Sequence, residues 1–227
     1  RSDTRFEDKP NVLTKIDSST SILAATGADL SPDGKTLAVS TQTKLGWEIR
    51  LHSVETGRRL AYYSPGDSTA GTPEFTPDGS RLFFHKTVDG YSRLVVTDMQ
   101  GSNLKVVSTA RAIEVSPRVN PKNAKDLLFI SGRSGRQQLW RMNEDGTDLQ
   151  MLTSGEGDVA NPAWSPNGQM VAFAWTRGDE PGNLNIFVMD INKKQPIQLT
   201  SASGRNENPT WAPDGLHIVY SSKRGRE

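Results

Sequence analysis

The side chains that could do chemistry are sparse in this chain and do not gather into a catalytic signature. No Gly-x-Ser-x-Gly nucleophile elbow, His-Glu-x-x-His pair or phosphate-binding loop occurs. Ser102-Asn103-Leu104-Lys105 matches Ser-x-x-Lys in form, but it falls in a predicted hairpin turn rather than on a helix. The three histidines, His52, His85 and His217, fall in different strands of different repeats. A metal site needs several such ligands converging on one point. His217 aligns with Thr36, Arg81 and Met170, a wet strand position. Asn143-Glu144-Asp145-Gly146-Thr147-Asp148 is oxygen-rich, yet it lacks the alternating ligands and terminal Glu of a calcium-binding loop and reads as a plain turn. Cysteine is absent, which excludes a disulfide framework, a thiol nucleophile and a thiolate metal site. The expectation is a chain with no catalytic residues, no metal and no cofactor.

Composition narrows the partners. The 27 basic and 26 acidic residues are spread along 227 positions, so no nucleic-acid patch is indicated. No apolar run approaches the roughly 18 residues of a membrane span, so direct insertion is not expected. Position 1 is Arg rather than Met, and the expectation is a fragment whose native start, with any signal peptide, lies upstream. Of the five tryptophans, Trp164, Trp211 and Trp140 occupy repeated positions that favour core packing. Trp47 and Trp175 flank hairpins, where an exposed indole would suit partner contact.

What positions these residues is an internal repeat. Asn208-Pro209-Thr210-Trp211-Ala212-Pro213-Asp214-Gly215 has a near copy in Asn161-Pro162-Ala163-Trp164-Ser165-Pro166-Asn167-Gly168. Thr72-Pro73-Glu74-Phe75-Thr76-Pro77-Asp78-Gly79 is a third. Ser116-Pro117-Arg118-Val119-Asn120-Pro121-Lys122-Asn123 is a worn fourth, and Ser31-Pro32-Asp33-Gly34 begins the series without the inner proline. The turns start at 31, 76, 120, 165 and 212, in steps of 45, 44, 45 and 47 residues. Proline pre-sets φ at the second turn position, Asp or Asn bonds back to nearby backbone, and Gly accepts positive φ.

Each turn is followed by a short apolar strand such as Leu82-Phe83-Phe84, Val171-Ala172-Phe173 or Ile218-Val219-Tyr220. Apolar residues at consecutive positions fit strands covered on both faces. These second strands are expected to be the most buried of each repeat. A polar hairpin follows, for example Thr176 to Asn183, then a third strand such as Asn185-Ile186-Phe187-Val188-Met189. A short closing strand ends the unit at Val106-Val107-Ser108, Met151-Leu152-Thr153 and Ile197-Gln198-Leu199-Thr200. Four antiparallel strands in about 45 residues is the period of a β-propeller blade. The chain is therefore expected to be all-β, a single propeller domain over 1–227. Val12-Leu13-Thr14-Lys15-Ile16 reads as a further closing strand. One outer strand, four full blades and two inner strands suggest an arc of a larger ring. A five-bladed ring closed by its own ends is the alternative.

The repeat Pro-x-Trp-Ser-Pro-Asp/Asn-Gly, with Asn-Ile-Phe-Val-Met-Asp and a closing Gln-Leu-Thr, resembles the propellers of the TolB family, soluble periplasmic components of the Tol–Pal envelope system. The best-matching stretches are 161–175, 183–200 and 204–222, within a resemblance that covers about 12–226. Similar blades occur as gating propellers of prolyl-oligopeptidase-type peptidases and as sensor domains of membrane-linked regulators, which is the alternative function. The TolB resemblance implies an α/β domain followed by a six-bladed ring, a periplasmic location, and a non-catalytic role in envelope integrity and cell division.

It also implies a partner, the Pal-type peptidoglycan-associated lipoprotein, docked over the channel mouth on loops ahead of each x-Pro-x-aromatic motif. Those loops match Thr69-Ala70-Gly71-Thr72, Asp158-Val159-Ala160-Asn161 and Arg205-Asn206-Glu207-Asn208 here. The candidate protein-binding residues are accordingly Thr69, Gly71, Thr72, Asp158, Val159, Ala160, Asn161, Arg205, Asn206, Glu207 and Asn208. The matching segment of the third repeat, Ala112-Ile113-Glu114-Val115, departs in character.

Overall fold

Turn chemistry and strand alternation build five antiparallel sheets in the computed structural model, which describes residues 24–63, 69–176, 182–201 and 204–223. The first sheet is β1 (Ala24–Leu30), β2 (Thr36–Thr43), β3 (Gly46–Ser53) and β4 (Arg59–Tyr63). The second is β5 (Ala70–Phe75), β6 (Arg81–Val88), β7 (Tyr91–Asp98) and β8 (Lys105–Val106). The third is β9 (Glu114–Asn120), β10 (Asn123–Ser131), β11 (Gln138–Asn143) and β12 (Gln150–Met151). The fourth is β13 (Val159–Trp164), β14 (Met170–Trp175), β15 (Asn185–Asp190) and β16 (Pro196–Gln198), and the fifth is β17 (Arg205–Trp211) with β18 (Ile218–Lys223). Each sheet is a meander in chain order, and no helix occurs among the described residues. The closing strand expected at 12–16 and the core of the hairpin at 177–181 lie outside the described residues, as does the tail from 224.

The repeated turn forms as its residues dictate. The amides of Gly34, Gly79, Gly168 and Gly215 donate to the carbonyls of Ser31, Thr76, Ser165 and Ala212 at 2.8–2.9 Å. Those glycines share φ of +69 to +71°, a conformation other L-residues adopt only with strain. The first-position hydroxyl of three turns donates to the third-position side chain: Ser31 to Asp33 at 2.6 Å, Thr76 to Asp78 at 2.6 Å and Ser165 to Asn167 at 2.7 Å. A second device closes each blade. The hydroxyls of Ser108, Thr153 and Thr200 accept the third-strand amides of Leu94, Leu139 and Ile186 at 2.8–2.9 Å. These residues satisfy donors where the outer strand is too short to reach.

The core lies between blades. One cluster joins Ile49 and Leu51 of the first blade to Phe75, Leu82 and Phe84 of the second. Another joins Phe83 and Leu94 to Leu127 and Phe129, and a third joins Leu128 and Leu139 to Phe173, Trp175 and Phe187. Phe173 and Phe187 stack at 6.0 Å between centroids, and Trp175 meets Phe187 edge-on at 5.4 Å. Trp175 is therefore core, not the exposed indole its flanking hairpin suggests. The second strand is the most buried in the third and fourth blades, whereas in the first β3 equals β2 and in the second β7 has more buried residues than β6. In the fifth blade the second strand is not the most buried, because the described residues place no third strand beside β18, and Tyr220 is 42% exposed. Leu30, at the aromatic position of the first repeat, is likewise half exposed rather than core.

These burials set the stability ranking. Phe173→Ala is expected to cost about 3–5 kcal/mol in chemical denaturation, the range for a large buried side chain that leaves a cavity. Tyr220→Ala is expected to cost about 1 kcal/mol or less. Equal costs would contradict the stacking of blades described here.

Candidate functional site

The inner strand of every blade carries the same irregularity. Gly27, Thr72, Ser116, Asn161 and Asn208 all have φ between 50 and 55°, and the pairing register slips at each. Four of the five precede proline. The first repeat, lacking proline, has glycine instead. A bulge of this kind re-aims side chains and sharpens strand twist. Here it turns the following residues of the inner strands onto one central channel, a cavity of about 410 Å³. Its wall includes Asp29, Glu74, Arg118, Asn161 and Asn208, contributed by five successive blades. Strands β1 and β17 both line it yet do not contact each other.

The residues expected on loops ahead of the motif are mostly strand residues. Gly71 and Thr72 lie in β5, Val159, Ala160 and Asn161 in β13, and Arg205 through Asn208 in β17; only Thr69 and Asp158 stand outside. Burial divides them further. Gly71 faces the His85 ring closely enough that an added Cβ would lie 2.6 Å from it, Val159 is fully buried, and Asn206 donates to the Leu184 carbonyl at 3.3 Å. These three serve packing. Thr72 ties adjacent blades: its amide donates to Ser40 Oγ at 3.0 Å and its hydroxyl accepts the Ser116 amide at 3.2 Å. Asp158 accepts the Gln137 amide at 2.9 Å, and Arg205 pairs with Glu207 at 3.0 Å. Thr69 meets Thr87 at 2.8 Å, and Asn208 donates to Ser221 Oγ at 3.3 Å. Ala160 and Asn161 are half-buried, and the Asn161 carboxamide makes no hydrogen bond among the described residues. Of the segment of the third repeat, Glu114 and Val115 are strand and Ala112 and Ile113 are not, and Glu114 is fully buried against Arg133 and Ser131.

Sequence reasoning missed the charges inside the channel. They occupy the position between the proline and the aromatic residue: Asp29, Glu74 and Arg118, then Ala163 and Thr210. A charged residue in an otherwise packed inner strand was the available signal. Asp29 Oδ2 accepts the Phe75 amide of the next blade at 2.7 Å, and Glu74 Oε1 accepts the Val119 amide at 3.3 Å. Arg118 donates to Glu74 Oε2 at 3.1 Å and to the Pro162 carbonyl at 3.1 Å. In the later blades an indole makes the same reach in reverse. Trp164 Nε1 donates to the Arg118 carbonyl at 3.0 Å and Trp211 Nε1 to the Ala163 carbonyl at 3.1 Å. Trp164 thus stitches blades as well as packing, whereas Trp211 is half-buried, stitches in the same way and lies outside the core clusters.

Burial dominates the protonation of these groups. It pushes the Glu74 carboxyl up to about 8 despite the opposing Arg118, with Asp29 adding to the rise. Burial likewise raises Asp29. His85, held by Thr72 Oγ1 at 2.9 Å, is pushed down to about 4 by burial. His52 is buried against the Gly57 carbonyl at 3.0 Å, and His217 is exposed beside Asp214. The three histidines do not meet, and among the described residues no three of His, Asp and Glu converge as a metal site would require.

The family model described as the TolB beta propeller domain matches residues 7–161 and 150–227. A protein named TolB homolog from Chlorobium luteolum is 30% identical over 141 residues, covering 61% of this chain and 30% of that protein. The structure of TolB from Acinetobacter baumannii superposes with a TM-score of 0.75 at 24% identity, covering 89% of this chain and 49% of that one. A putative TolB from Agrobacterium tumefaciens gives 0.72 at 22% identity, covering 88% and 76%. Likeness at these identities shows the propeller fold. The chain spans less than a third of the length of the curated relatives it matches.

The raised carboxyl and the depressed imidazole predict a pH dependence of stability. From its ordinary 4.5 up to about 8, the folded chain holds a Glu74 proton that the unfolded chain has lost, so stability falls as pH rises. His85 acts in the opposite sense, but only from 6.5 down to about 4. Between pH 6.5 and about 8 the Glu74 slope stands alone of the two. Denaturant melts across that window should show stability declining with pH, and Glu74→Gln should flatten the decline. An unchanged slope in the variant would assign the proton elsewhere.

Proposed function

Because the chain belongs to the TolB beta propeller domain family, we propose that it is a non-catalytic protein-binding propeller that docks a Pal-type peptidoglycan-associated lipoprotein in the periplasm. In this reading the five sheets are part of a six-bladed ring, and the N-terminal halves of its inner strands form the docking rim.

The observation that carries the reading is the repeated left-handed bulge. It holds Asn161 and Asn208 in a conformation that L-residues populate at a cost, and Asn and Gly tolerate best. Strain retained at the same point of successive blades is the kind of feature found at functional surfaces. The Asn161 carboxamide has both its donors and its acceptor uncommitted among the described residues and lines the channel with Asn208. A partner entering this mouth meets backbone already fixed by its neighbours, so little conformational freedom is lost on docking. Asp158, bound to Gln137, and Glu207, paired with Arg205, shape the rim; Asn161 and Asn208 are assigned the larger share of contact.

The test must separate binding from backbone strain. Replacing either asparagine by alanine would remove the carboxamide and also the tolerance of asparagine for the left-handed φ. Glycine removes only the first. Asn161→Gly and Asn208→Gly are expected to weaken calorimetric binding of a soluble Pal-type lipoprotein domain by about 1–2 kcal/mol each. Unfolding free energy should change by about 0.5 kcal/mol or less. The alanine variants should instead lose about 1 kcal/mol of stability. Full affinity in the folded double-glycine variant would move the docking face away from these strands.

A further inference from the structure

At the other end of the inner strands, beside the Pro-Asp-Gly turns, the seam between the first and second blades opens into a second and larger cavity of about 650 Å³. Comparison with the next seam explains the opening. There Arg81, at the start of β6, reaches across to Glu144, just past the end of β11, and their ion pair bridges the two blades. The repeat puts Thr36 and Met99 at the corresponding places of the first seam, since Thr36 begins β2 and Met99 follows β7. A hydroxyl and a thioether cannot form that bridge. What remains is a cleft with an apolar floor of Leu51, Phe75 and Met99, and Leu60, an exposed leucine, on its wall.

Among the described residues, the only charged side chains on its wall are Asp33 and Asp78, the third-position residues of two successive turns. Both carboxyls are held below their ordinary value, Asp33 chiefly by the Ser31 hydroxyl and Asp78 chiefly by the Thr76 hydroxyl, so both are anionic at neutral pH. The nearby cations Lys35 and Arg81 are not part of the wall, and Arg81 is engaged with Glu144. A pocket of this size, mostly apolar with a few convergent polar groups, is the usual form of a small-molecule site.

The geometry points to this cleft as a binding pocket for a small amphiphilic amine, its hydrocarbon or aromatic body against Leu51, Phe75 and Met99 and its ammonium toward Asp33 and Asp78. The site is separate from the channel rim and does not rest on the docking role of that rim. The apolar body would be favoured by burial, and the ammonium by charge-assisted hydrogen bonds or by attraction to two carboxylates.

The test follows the methyl resonances of Met99, Leu51 and Leu60 during titration of the whole chain with phenethylamine, 2-phenylethanol and phenylacetate. The amine is expected to shift these methyls saturably and to bind about tenfold more tightly than the alcohol, with the carboxylate weakest. Asp33→Asn with Asp78→Asn should erase the preference for the amine. The fourth repeat already uses Asn167 at this turn position, so the substitution suits the fold. Thr36→Arg with Met99→Glu, which installs the ion pair of the neighbouring seam, should abolish binding at Leu51 and Leu60. The proposal is overturned if the amine leaves these methyls unmoved, if amine and carboxylate bind alike, or if the Asn variant keeps the preference.

Discussion

A sheet with apolar side chains on both faces cannot stand in water by itself, and that constraint organises the whole chain. Each of the three main core clusters spans two adjacent blades rather than lying within one. Burial therefore accrues at seams, and a blade is stable only as far as its neighbours are present. The seams are also fixed in register. A side chain or backbone group at one repeat position meets the next blade about 45 residues on, as Asp29 meets Phe75, Glu74 meets Val119 and Trp164 reaches back to Arg118. Hydrophobic stacking is non-directional. These polar links give it a unique alignment, and the alignment puts five inner strands around one channel.

Polarity in the channel comes at some cost to the fold. Asp29 and Glu74 are desolvated, and one cation, Arg118, sits beside Glu74 and also serves the Pro162 carbonyl. Left-handed residues at Thr72, Ser116, Asn161 and Asn208 add backbone strain that glycine would relieve. An array selected for stability alone would have apolar residues and regular pairing there. The later blades come closer to that state, with Ala163 and Thr210 at the position of the charges and indoles making the seam contacts. The channel is thus chemically lopsided: lined by ionisable side chains on the side of the first three blades and by amides on the side of the last two.

Much of the architecture is legible in the sequence because it rests on local rules repeated many times. Ser165-Pro166-Asn167-Gly168 specifies its own turn, and Val171-Ala172-Phe173 its own strand, so period and strand order follow without knowledge of the tertiary structure. Legibility fails where the outcome depends on what lies across a seam. Trp175 borders a hairpin and reads as exposed, yet the aromatic rings of Phe173 and Phe187 enclose it. Ile218 and Tyr220 have the pattern of a buried strand but stand beside no third strand among the described residues. The segment before each inner proline reads as a loop because proline and asparagine disfavour regular pairing. Bulging lets the strand run through it, and Gly71, Val159 and Asn206 of the anticipated rim become packing. The channel charges follow no local motif, and only the three-dimensional convergence of Asp29, Glu74 and Arg118 gives them meaning.

We propose that the bulged halves of the inner strands, gathered by the seams, form the docking face. Amide hydrogen exchange of the chain with and without a soluble Pal-type lipoprotein domain tests it most directly, because exchange reports where backbone becomes protected without altering any side chain. Protection concentrated on 71–74, 159–162 and 206–209 is the predicted result. Protection confined to the Pro-Asp-Gly turns or the outer strands, or none at saturating partner, would contradict the account.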